Sequence, residues 1–185
     1  MGEYDFILNN DPGRHYNVPQ SGGGGVAKRA IIVLGGLIGL TLLIVIVFGV
    51  ILKPSAGPVD RIAAITALQA DIIDFSDEAD RELRTTEALA LATGAQLVLE
   101  TDRRNLESVA RPPSESEVAA ATDSAIRATL ESSKSNNRYD ETYQEIMTSK
   151  LAIYRDQLRS VFDESDSSQQ QALQLAFDNA EILAE

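Results

Sequence analysis

Three acidic clusters are the residues of this chain whose types and spacing are nearest to chemistry: Asp71 and Asp74 one helical turn apart, the Asp77-Glu78 pair, and Asp163-Glu164-x-Asp166. Carboxylates grouped in this way can hold a divalent cation or move a proton. Two carboxylates are too few for a tight calcium site, and none of the clusters has the Asp-x-Asp-x-Asp-Gly spacing of a calcium loop. Asp163 to Asp166 reads as a solvated turn that ends a helix. Iron chemistry in a helical bundle needs Glu-x-x-His pairs, because imidazole nitrogen completes the coordination of each metal. The single histidine, His15, lies far upstream of every acidic cluster. Its isolation also removes a Ser-His-Asp nucleophile, and the absence of cysteine removes thiolate chemistry, metal thiolates and disulfides together. The glycine run Gly22 to Gly25 does not open a strand-turn-helix unit, so it is no phosphate loop. These residues predict no catalytic site, no bound metal and no cofactor, hence a non-enzymatic protein.

The elements that must position any site follow from hydropathy. Ala30 to Leu52 is an unbroken apolar run with one hydroxyl, Thr41. At about 1.5 Å per residue it is long enough for the roughly 30 Å core of a bilayer. The segment is too long for a signal-peptide core and lacks a small-x-small cleavage site after it, so residues 28–53 are expected to be a permanent transmembrane helix. Lys28 and Arg29 abut the run and form a topology signal that holds the N-terminus in the cytoplasm. Gly35 and Gly39 make a G-x-x-x-G pair, a possible helix-dimer seam and hence a route to a homodimer. Residues 1–27 form a tail too short of apolar periodicity to fold alone, with a Gly-rich linker. Within it, Tyr4, Phe6, Ile7 and Leu8 are a possible cytoplasmic docking motif.

After a linker at 54–59 the pattern turns helical, and residues 60–185 are expected to be one extracytoplasmic bundle. Ile62, Ile65, Leu68, Ile72, Phe75 and Ala79 predict a helix over 60–82 with one apolar face and Asp60 as N-cap. A second is predicted over 85–109 despite Gly94, with Leu89, Ala92, Leu97 and Leu106 among its inward residues. Arg111-Pro112-Pro113 stops it, and Ser114 with Glu117 forms a capping box for a third over 115–133. A polar turn at 134–138 leads to a helix over 139–162, and a last helix spans 168–183. Tyr139, Tyr143, Tyr154, Phe162 and Phe177 are expected to be core. No stretch alternates with a strand's period, so the fold class is all-α: a single transmembrane helix followed by an antiparallel bundle. Charge narrows the partners. The chain has 16 Lys+Arg against 28 Asp+Glu, and only Glu3, Asp5 and Asp11 of the acidic residues precede the bundle. Such a field repels phosphate backbones and argues against nucleic acid.

Tyr139-Asp140-x-x-Tyr143 followed by Met147 resembles the motif of a bacterial ferritin-like four-helix family of unknown function, many of whose members are described as predicted outer-membrane or secreted proteins. That family's histidine falls on Leu151 here. Leu97-Val98-Leu99-Glu100-Thr101 with Asn105 is similar to a second family motif, with Thr101 at the histidine, and Ala180 to Leu183 lacks the family's last histidine. The resemblance implies a ferritin-like four-helix bundle of the first, second, fourth and fifth helices, with 115–133 as a short extra helix. The layout is also similar to uncharacterised single-pass proteins of ultrasmall candidate-phylum bacteria. The function expected is a single-pass membrane protein, partnered by the lipid bilayer, whose bundle binds a protein or cell-envelope partner. The alternatives are a ligand-sensing module that signals through the cytoplasmic tail and, with inverted topology, a cytoplasmic adaptor.

Overall fold

The computed structural model describes residues 56–184, which are all-helical, with no strand among them. Six α-helices follow one another: α1 (Pro58–Asp80), α2 (Thr86–Val109), α3 (Glu115–Ala121), α4 (Ser124–Ser133), α5 (Tyr139–Phe162) and α6 (Ser167–Leu183). Tyr4, Phe6, Ile7, Leu8, Lys28, Arg29, Gly35 and Gly39 lie outside the described residues, as does the apolar run Ala30 to Leu52.

Helix ends show where side chains outcompeted the simple periodic pattern. Asp60 is not the N-cap of α1: Gly57 takes that place with Pro58 at the first helical position, where its missing N–H costs nothing. Asp60 instead accepts a hydrogen bond from Arg111 at 2.9 Å, tying the start of α1 to the end of α2. Thr85 caps α2 through its hydroxyl. The predicted helix over 115–133 is two helices, because the Asp123 carboxylate accepts from the backbone N–H groups of Ala125 and Ile126 and starts α4 afresh. The Ser114–Glu117 capping box is present, and hydrogen bonds from Arg111 hold the Glu117 carboxyl down at about 2. Asp166 caps α6 with a reciprocal bond from Gln169. Asn137 sits at φ 53° after a 3-10 turn over Lys134–Asn136, a left-handed position that asparagine tolerates.

The four long helices pack in a ring, α1 on α2, α2 on α6, α6 on α5 and α5 on α1. Contacts at the two ends set their directions. Arg61 near the start of α1 reaches the Ser160 carbonyl at the end of α5, while Asp140 at the start of α5 accepts from the N–H groups of Arg84 and Thr85 between α1 and α2. Gln169 at the start of α6 donates to the Val109 carbonyl at the end of α2. Every ring neighbour is therefore antiparallel, and α2 and α5 run the same way. That arrangement requires the chain to travel back along the bundle between them. Helices α3 and α4 make this return, α3 against α1 and α4 against α5.

The return path explains why α1 is the most enclosed element. Ile62 through Gln69 are all buried, not only the predicted face, because α3 covers the side that would otherwise meet water. The core joins Ile65, Ile72, Phe75, Leu99, Leu106, Tyr143, Ile146, Leu158 and Leu173 with alanines at 88, 92, 95, 176 and 180. Tyr139, Tyr143 and Tyr154 are core as expected; Phe162 and Phe177 are only partly buried against it.

Gly94 is inside α2, and a methyl group there would meet Leu183 Cδ2 at 3.2 Å. Leu183 is the last residue of α6 and its side chain can give by a few tenths of an ångström. Gly94→Ala should therefore raise stability by about 0.5 kcal/mol through helix propensity. Urea denaturation checks this, and a net loss would show that Leu183 is held rigidly.

Candidate functional site

The polar groups that the sequence places on apolar stripes converge at two levels of the bundle. At the first, Asp71 of α1 is fully enclosed. Its Oδ2 accepts from Lys150 Nζ of α5, and its Oδ1 accepts from Arg127 of α4 at 2.8 Å. Arg127 also donates to Glu78 at 2.8 Å. The Phe75 ring lies beneath both cations, with Lys150 Nζ 5.5 Å and the Arg127 guanidinium carbon 5.9 Å from its centroid. Phe75 also stacks with Tyr143 at 5.6 Å, and the Tyr143 hydroxyl donates to Ser76. Burial pushes the Tyr143 phenol up to about 12. The carboxylate and the ring face offset the cost of burying the Lys150 side chain.

The second level takes one residue from each long helix of the ring: Gln69, Asp102, Tyr154 and Asn179. Gln69 Nε2 donates to the Tyr154 hydroxyl, and Asn179 Nδ2 donates to Asp102 Oδ1 at 2.8 Å. Gln69 Oε1 and Asp102 Oδ2 are buried without a hydrogen-bond partner. The level is thus rich in acceptors and short of donors. Burial raises the Asp102 carboxyl to about 6, and the Asn179 bond opposes this only in part. A proton on Asp102 supplies the missing donor.

The acidic clusters do not assemble a metal site. Asp71 is spent on Lys150 and Arg127, and Asp74 faces outward, its carboxyl raised by burial despite the nearby Arg127. Glu78 goes to Arg127, Glu164 to Arg61, and Asp166 to its cap. No group of three or more potential ligands occurs among the described residues.

Among the described residues, several concavities open to the surface. A cleft of about 730 Å³ at the α1–α2 end is lined by Glu82, Arg84, Lys134, Asn137, Tyr139 and Asp140, among others. A second, of about 470 Å³, runs between α2, α5 and α6, with Ala90, Leu91, Leu151, Ile182 and Leu183. A third, about 270 Å³, lies between α5 and α6. Leu97, expected to face inward, lies off the stripe of Ala92, Ala95 and Leu99 and is 68% exposed; Ile182 is 70% exposed.

The chain matches no known family model, no curated protein and no solved structure. The site must therefore be read from its own geometry. Sequence reasoning passed over Lys150, Gln69 and Asp102 while using their neighbours. The signal was present: Lys150 follows Tyr143 and Met147 and precedes Tyr154 at three- and four-residue steps, and Asp102 lies between Leu99 and Leu106 on the same stripe.

Lys150→Met should destabilise the bundle by about 3 kcal/mol, since it removes one of the two cations from an enclosed carboxylate. Adding Asp71→Leu should recover at least half of that loss in a chemical denaturation cycle. Additive losses would show that the two side chains are not coupled.

Asp102 makes stability depend on pH. Its folded pKa of about 6 exceeds its ordinary value of 3.8, so the folded state holds the proton more tightly. Its contribution is fully present below the unfolded pKa and is lost as pH rises through the folded one. Wild type should therefore lose about 2 kcal/mol between pH 4 and 6 from this group, out of a full contribution of about 3 kcal/mol. Asp102→Asn should flatten that slope and be the more stable protein at pH 7. Parallel urea curves at the two pH values measure both effects.

Proposed function

We propose that this chain is a single-pass membrane protein whose helical bundle lies outside the cytoplasm and binds a protein of the cell envelope without catalysing a reaction. The observation that carries the binding role is the surface of α2 and α6, where Leu97 and Ile182 are exposed and Ile182 borders the groove of Ala90, Leu91 and Leu183. Exposed apolar side chains and an open groove lined by others are the kind of surface on which partners dock. The enclosed charges support a non-catalytic reading from the other side: Asp71, Lys150 and Arg127 serve one another and present nothing to a cleft.

Anchoring rests on the apolar run Ala30 to Leu52 and orientation on Lys28 and Arg29. Among the described residues no helix is long and apolar enough to cross a membrane, so the run is the segment that would do so. A ferritin-like relationship is part of the same reading. One long return between two antiparallel hairpins is the connection ferritin-like bundles use, and Tyr139, Asp140, Tyr143 and Met147, which carry the resemblance, lie in the first half of α5.

A photo-crosslinking residue placed at 97 or 182 in the full chain, in its own membranes, should yield one discrete adduct that the exposed control position Asp156 does not. Leu97→Ser with Ile182→Ser should abolish co-purification of the same species. Equal labelling from all three positions would sink the proposed face. Protease added to intact cells or spheroplasts should digest residues 57–185 and spare 1–27. A protected bundle would reverse the orientation.

A further inference from the structure

The cleft between the last turns of α5 and the first turns of α6 lies apart from the partner face and carries a separate inference. Its floor is Leu158 and Leu173, both buried, and its walls are the half-buried rings of Phe162 and Phe177. Its rim carries Arg159, Asp163 and the Gln174 amide. At about 270 Å³ it falls just under the roughly 300–1,000 Å³ of pockets for drug-sized ligands, which restricts the occupant to a small molecule.

The rim charges are the unusual part. Two arginines of α5 lie over the Phe177 ring, each with its guanidinium carbon 5.1 Å from the centroid. Arg155 is paired with Glu181 at 3.2 Å. Arg159 has no carboxylate within ion-pair distance among the described residues, although acidic side chains far outnumber basic ones in this chain. Asp163, one turn further on, also has no ion-pair partner there, although residues four apart on a helix are within reach of each other. The neighbouring Glu164 does have one, in Arg61. The cleft thus presents one free guanidinium, one free carboxylate and an aromatic-aliphatic floor within a single turn of α5.

We propose that this cleft is a binding site for a free α-amino acid with an apolar side chain. A zwitterion is the small molecule that complements both charges at once. Its carboxylate takes the Arg159 fork, its ammonium takes Asp163, and its side chain enters between Phe162 and Phe177 over Leu158 and Leu173. The Gln174 amide at the rim donates to Asp178 at 2.7 Å, which leaves its oxygen to accept from a remaining donor. Either charge alone would leave the opposite rim group facing a like or empty neighbour, so a simple carboxylic acid or a simple amine fits less well. Arg159 and Asp163 are both exposed, and Arg159 touches α6 only through the face of the Phe177 ring, so the circular dichroism spectrum of each variant checks that the bundle still folds.

Calorimetric titration of the full chain in lipid nanodiscs, with L-phenylalanine and with L-leucine as probes, tests the site. Saturable one-to-one binding is expected. L-Phenylalaninamide, which lacks the carboxylate, and 3-phenylpropionate, which lacks the ammonium, should each bind roughly tenfold more weakly or worse. Arg159→Gln and Asp163→Asn should each weaken L-phenylalanine by a similar factor with an unchanged circular dichroism spectrum, and Arg104→Gln, on α2, should have no effect. Absence of saturable binding to wild type at millimolar probe overturns the proposal. So does binding that survives either substitution, or analogues that bind as tightly as the amino acid.

Discussion

A carboxylate taken out of water, Asp71, is the constraint on which the bundle is arranged. Its side chain is fully enclosed, and an isolated buried charge costs many kcal/mol, so the fold is acceptable only where cations reach both oxygens. They come from two other elements: Lys150 from α5 and Arg127 from α4. One acidic group thereby fixes the lengthwise position of α5 against α1 and presses α4 onto the outside of the pair. A hydrophobic interface alone would tolerate sliding by a turn; this one does not, because a shift would strand the carboxylate.

The rest of the architecture is consistent with that pin. The return path of α3 and α4 brings Arg127 to Asp71, and on its way encloses the face of α1 that faces away from the ring. Arg111 ties the end of α2 to Asp60 and to the capping box of α3, and Asp140 closes the opposite end by accepting the N–H groups of Arg84 and Thr85. Burial pushes the Asp140 carboxyl up, yet those backbone bonds outweigh it and leave it lowered. Polar groups therefore define register at both ends and in the middle, while alanines at the α2 and α6 seam allow close approach without specifying it.

The level of Gln69, Asp102, Tyr154 and Asn179 obeys a different rule. It has acceptors to spare and no cation beside them, so only below about pH 6 does a proton on Asp102 add the donor it lacks. A bundle of this kind has used its interior polar positions for cohesion, which leaves recognition to the outside. The two surface features that stand out, the apolar face of α2 and α6 and the charged cleft of α5 and α6, occupy different parts of the same helix pair.

By itself the sequence determined the helical class, the number of long helices in the described region and most of their limits, because period and caps act locally. The Ser114 box, the Pro112-Pro113 stop and the stripe of α5 from Tyr143 to Phe162 needed no distant information. Local competition explains the errors: Asp123 restarts a helix where the apolar period continues across it, and Pro58 with Gly57 begins α1 before Asp60. Tertiary structure alone decided which polar residues on those stripes are partners. Asp71 looked like half of a carboxylate pair with Asp74, yet its partners lie 79 and 56 residues away. Charge pairing across such separations depends on which helices become neighbours and in what direction they run. Hydropathy carries no record of either, because the burial that makes the pairing necessary exists only once the helices have met.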